Sequence, residues 1–210
     1  MSDKRTRVLL SGGAVGTPLF FAVVAAQLPA ADGFDLGPHM ISQLAAGPGG
    51  WVQAANFVVT GALFVLTAAG LGRALAEGPG RTWLPRLVAV FGAGLVAAGL
   101  MVADPVAGYP VGVPEETTWH GIGHGVAAMV AGFALVGALF VLARRHRSEG
   151  LTGMAAADVA VGVGYLVLPY VYAPEMGLLF ALASAVAWGW IALAAVRLAP
   201  RPVAAAAQPA

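Results

Sequence analysis

The 210 residues are 59% hydrophobic and only 10% charged, with a mean hydropathy of +0.82, whereas an ordinary soluble domain carries roughly 25% charged residues. Such a composition belongs to an integral membrane protein whose partner is the lipid bilayer. A formal net charge of +1 argues against a nucleic-acid partner, and the lack of cysteine excludes disulfides, thiolate metal ligands and nucleophilic thiols.

The length accommodates about six crossings of roughly 20 residues with short connections, so residues 1–198 are expected to form one all-α, six-span domain. After the basic start at Lys4, Arg5 and Arg7, the apolar run 8–30 is the first span. It also resembles a signal peptide, but it is longer than the usual apolar core of one, which favours a retained span. Residues 31–50 form an irregular loop broken by Asp32, Gly33, Asp35, Gly37, Pro38, Gly47, Pro48 and Gly49, and they include His39 and Ser42. Trp51 opens the second span, 51–71. The third, 87–103, is rich in Gly and Ala, which lets helix backbones approach closely in lipid, so it belongs inside the bundle.

The third span stops at Asp104-Pro105, and Thr117 or Thr118 can cap the fourth, 119–143, which ends in Arg144-Arg145-His146-Arg147. There His146 reads as a solvated charge. The fifth span, 153–172, contains Asp158, which is costly in an apolar segment and predicts either an interfacial position or a pair with Arg73 or Arg145. A short connection makes it a hairpin with the sixth span, 177–198, whose Trp188 and Trp190 read as core or lipid-facing aromatics. Residues 199–210 are low in complexity and are expected to be a disordered tail.

The basic residues test this scheme. Lys4, Arg5, Arg7, Arg73, Arg81, Arg86, Arg144, Arg145, Arg147, Arg197 and Arg201 all fall on one side, while Asp32, Asp35, Asp104, Glu115, Glu116 and Glu175 fall on the other. By the positive-inside rule the basic side is cytoplasmic, with both termini inside. A single lysine among the basic residues and abundant Ala and Gly point to a bacterium with a GC-rich genome, hence its plasma membrane.

Three of the four histidines then share the outer side. His120 and His124, spaced i, i+4 at the start of the fourth span, stack on one helix face. His39, His120 and His124 could supply three nitrogens to a divalent metal such as zinc, with Asp104 as base or fourth ligand and Ser42 positioning substrate. The alternatives are metal-free acid–base or pH-sensing chemistry, and histidines that merely cap helix ends and pair with Asp104 or Glu116. The Gly121 and Gly125 spacing reads as helix packing. The expected site is a small polar pocket between spans three and four, beneath the first outer loop.

The run His39-Met40-Ile41-Ser42-Gln43-Leu44 ahead of Gly50-Trp51, Asp104 closing a span, and Thr117-x-x-His120-Gly121 followed by His124 resemble the domain-of-unknown-function 998 family of six-span prokaryotic membrane proteins. That resemblance covers most of residues 8–198 and implies a fold and a location but no reaction. A looser similarity joins the His120-x-x-x-His124 spacing to the CREST membrane hydrolases, which hold zinc with Ser, Asp and three His. Those proteins have seven spans with the pair on the last. The resulting expectation is a metal-dependent hydrolase or transferase acting on a lipid or isoprenoid, and the alternative is a non-catalytic lipid-binding, transport-related or assembly protein.

Overall fold

A computed structural model describes residues 2–199; all but the first residue of the tail expected over 199–210 lies outside the described residues. The first crossing is α1 (Ser2–Leu10) continued by α2 (Gly12–Gln27), and it is followed by α3 (Trp51–Ala74), α4 (Trp83–Leu100), α5 (Trp119–Ser148), α6 (Thr152–Val167) and α7 (Met176–Arg197). Six helical stretches are long and apolar enough to cross a membrane. No strand occurs among the described residues. The fourth crossing, expected to end at residue 143, runs on to Ser148, because the Arg-rich turn remains helical and places its basic side chains at the negative end of the helix dipole.

Successive crossings pack side by side, and α7 returns against α2 to close a ring of six helices. An aromatic cluster fills the middle of this ring. Phe20 of α2 lies 4.9 Å from both Phe57 of α3 and Trp188 of α7, while Phe91 of α4 lies 4.8 Å from Phe64 and 5.4 Å from Trp188. Trp188 is thus a core residue, only 4% exposed. Around the cluster, small residues set the helix spacing. A Cβ on Gly61 would stand 2.5 Å from the Gly92 carbonyl oxygen, and one on Gly92 would stand 2.6 Å from that of Gly61. Such an approach is open only to glycine, and it brings the backbones of α3 and α4 into contact.

At the acidic end, the two long loops clasp each other. Residues 31–50 carry a 3-10 turn, Ile41–Ala46, and dock on the start of α7 where the Gly177 N–H donates to the Gly37 carbonyl at 2.7 Å. The loop between α4 and α5 inserts Tyr109, 1% exposed, against Phe34 and His39 at 5.2 and 5.6 Å. Burial raises the pKa of the Tyr109 phenol. Beneath the clasp runs a chain of buried amides. The Gln53 side-chain oxygen accepts from Gln27 at 2.9 Å and from Asn56 at 3.2 Å, the Gln53 amide donates to the Ile41 carbonyl, and Gln43 donates to the Val106 carbonyl. These side chains satisfy backbone carbonyls that the loops leave unpaired.

Candidate functional site

The five side chains expected to form one site occupy three places. His39 belongs to the loop clasp. Its Nδ1 accepts the Asp35 N–H at 2.9 Å and its Nε2–H donates to the Ala107 carbonyl at 3.0 Å, so both ring nitrogens are committed. Ala107 is held with a positive φ of 56°, and this bond fixes its carbonyl.

Asp104 and His120 form the second group, at the start of α5. Asp104 accepts from the Thr118 N–H at 2.9 Å and from the Thr118 hydroxyl at 2.5 Å, while the Thr118 oxygen in turn accepts the Gly121 N–H at 3.1 Å. This is a helix N-cap extended by a carboxylate, charge-complementary to the dipole. Gly121 serves it directly, since a Cβ there would strike the Asp104 carboxylate. Helix packing was the expected role of the Gly121 and Gly125 pair; Gly125 instead faces open space. His120 Nδ1–H donates to the Val102 carbonyl at 2.9 Å and stands 3.9 Å from Asp104.

Hydrogen bonds from the Thr118 side chain and backbone hold the Asp104 pKa below its ordinary 3.8, with His120 and His124 contributing less. A depressed carboxylate pKa gives stability that is present above the unfolded value and lost as pH falls through the folded one. The melting-temperature gap between wild type and Asp104→Asn should therefore be constant near neutrality and shrink below pH 3.8. A gap unchanged down to pH 2 to 3 would remove the carboxylate cap as its cause.

His124 and Ser42 make the third group. His124 is 8% exposed, and its Nδ1–H donates to the carbonyls of Ala98 and Met101 at 2.9 Å each, closing the end of α4. Two acceptors at Nδ1 fix the proton there, so the neutral ring has its lone pair on Nε2. With Ser42, Tyr165, Ser184 and Trp188, His124 lines a cavity of about 60 Å³ under the first loop. The cavity lies at the centre of the ring, touching α3 to α7, rather than between spans three and four alone. Ser184 Oγ and Trp188 Nε1 are buried and have no hydrogen-bond partner among the described residues, and the Tyr165 hydroxyl approaches Ser184 without meeting hydrogen-bond geometry. An unsatisfied buried donor or acceptor costs about 1–3 kcal/mol.

One wall of this cavity is shared with a lateral groove. Ala128, Tyr165 and Phe180 line both, and the groove, about 350 Å³, opens outward over Met129, Phe133 and Tyr170 between α5 and the hairpin of α6 and α7. Those three residues are 55%, 62% and 77% exposed, so the groove faces whatever surrounds the bundle.

Among the described residues no three His, Asp or Glu side chains converge as a metal-binding group. A zinc site on His39, His120 and His124 does not fit this arrangement, because the three side chains do not converge and both ring nitrogens of His39 are already hydrogen-bonded within the loop clasp.

A family model described as a protein of unknown function (DUF998) matches residues 14–197. The chain belongs to the domain-of-unknown-function 998 family. No curated protein and no solved structure matches it. The likeness to the CREST hydrolases therefore rests on the His120 and His124 spacing alone, and the chemistry of this domain-of-unknown-function 998 protein has to be read from its own residues.

Two polar groups escaped the sequence reading. The buried amides Gln53 and Asn56, three apart on α3, had a usable signal, since adjacent amides inside an apolar span must face one another or a loop. The other lies at the basic end. His146, expected to be solvated, has a side chain only 13% exposed and donates from Nδ1 to Asp158 at 2.6 Å. Asp158 is fully buried and also accepts from Trp190 Nε1 at 2.8 Å. Arg145, one of its expected partners, pairs with Glu149 at 2.9 Å instead.

Proposed function

We propose that the protein binds a membrane amphiphile, a lipid or isoprenoid, with its apolar chain in the lateral groove and its polar end in the central cavity. The observation that carries this reading is the pair of orphaned polar groups, Ser184 Oγ and Trp188 Nε1, in a cavity that shares Ala128, Tyr165 and Phe180 with the lateral groove. The indole N–H can only donate, so the polar end must offer an acceptor oxygen. His124 supplies an acceptor at Nε2, which suits a hydroxyl. With the basic end placed in the cytoplasm by the positive-inside rule, the acidic end and this cavity face the outer leaflet of a bacterial plasma membrane. Non-catalytic lipid binding fits better than a zinc hydrolase or transferase, which would require His39 to give up its bonds in the loop clasp and the three imidazoles to converge.

The test is lipid co-purification. Protein extracted from its own membranes should carry a stoichiometric amphiphile by native mass spectrometry. Trp188→Phe keeps an aromatic ring but removes the donor, and it should weaken retention about 5- to 150-fold, the range set by one buried hydrogen bond of roughly 1–3 kcal/mol. Equal retention in wild type and in a Trp188→Phe, Ser184→Ala double variant would reject the cavity as the polar subsite.

A further inference from the structure

We propose that the crevice at the basic end, between the end of α5, the start of α6 and the end of α7, is a binding site for a phosphate-bearing ligand held by Arg197 and His146. Arg197 and His146 line one crevice of about 350 Å³ together with Glu149, Trp190, Leu193 and Met154. Their electrostatics follow from the partners. Asp158 is fully buried with both oxygens engaged, by His146 at 2.6 Å and Trp190 at 2.8 Å. His146 is the basic side chain in contact with this carboxylate among the described residues. Its ring turns Nδ1 to Asp158, and Nε2, on the opposite edge, becomes a second donor when the ring is protonated.

Glu149, the acid on the crevice wall, is already neutralised by Arg145 at 2.9 Å. Arg197 has no ion-pair partner among the described residues. The crevice thus offers an unpaired guanidinium and a protonatable imidazole edge beside an apolar wall. That combination suits a tetrahedral anion: the guanidinium fork takes two oxygens and the imidazolium a third. The apolar wall of Met154, Trp190 and Leu193 adds a place for a chain attached to the phosphate. A phospholipid headgroup and free phosphate share this chemistry. The site is distinct from the central cavity, since it uses the opposite end of α7.

The full-length protein in lipid-free detergent would be titrated separately with inorganic phosphate and with short-chain phosphatidylglycerol, following binding by microscale thermophoresis. Arg197→Gln should weaken whichever probe binds by at least about tenfold, as expected for a hydrogen bond to a charged group. Arg73→Gln makes the same charge change at an exposed position elsewhere at the basic end, and should alter affinity by less than about twofold. Because Arg197 is exposed, its replacement leaves the core intact. Saturable binding of phosphatidylglycerol without phosphate would identify a lipid headgroup, and phosphate binding that competes with the lipid would identify the anion as sufficient. Absence of saturable binding to both probes, or equal losses in Arg197→Gln and Arg73→Gln, would overturn the proposal. Lipid retention by the Trp188 variants tests the central cavity independently.

Discussion

Asp158→Ala should destabilise the protein by about 3–5 kcal/mol, the usual cost of removing one partner of a buried ion pair. The carboxylate is the common acceptor for His146 of α5 and Trp190 of α7 while sitting on α6, so it ties three crossings at one point. Its loss leaves an imidazole and an indole N–H unpartnered in a low-dielectric setting, and each must find water or distort its helix. Asp158→Asn preserves the volume and one acceptor oxygen, and should fall between wild type and alanine. Equilibrium unfolding in mixed micelles measures both. A loss under about 1 kcal/mol for the alanine variant would mean that this group contributes no more than a surface ion pair.

The contrast between Asp158 and His124 shows what the sequence could and could not reveal. Both lie on helices whose course was legible, because long apolar runs mark the number and order of the crossings. Periodicity says which residues share a helix face; it says nothing about the element opposite that face. His120 and His124 do share one, yet at about 1.5 Å rise per residue they sit about 6 Å apart along the axis. One therefore reaches Val102 in the loop and the other the end of α4. For the same reason His39, near them in the expected layout, spends both nitrogens within the loop clasp. Asp158 and His146 lie on consecutive helices joined by the turn at Gly150, and a hairpin of that kind makes their pairing geometrically natural. The arginines surrounding His146 obscured it, since a basic cluster ordinarily faces water.

Gly92→Ala is expected to cost about 1–3 kcal/mol, through overpacking rather than lost contacts. The added methyl would stand 2.6 Å from the Gly61 carbonyl oxygen and 2.9 Å from the Val65 nitrogen. Both are backbone atoms of α3, so no side chain can rotate away and α3 and α4 must separate. Separation is costly here because Phe64 and Phe91 meet across this same interface at 4.8 Å, and Phe91 continues to Trp188. Opening the helices would therefore loosen the aromatic centre and the cavity that Trp188 and Phe91 line. Gly125→Ala supplies the matched control, as its Cβ meets nothing within 4 Å. That change should be neutral or stabilising by up to about 1 kcal/mol, from helix propensity alone. Thermal unfolding in detergent should thus separate two substitutions that are chemically identical. Equal melting temperatures would show that the close approach of α3 and α4 does not limit stability, and the small residues of α4 would then need another explanation.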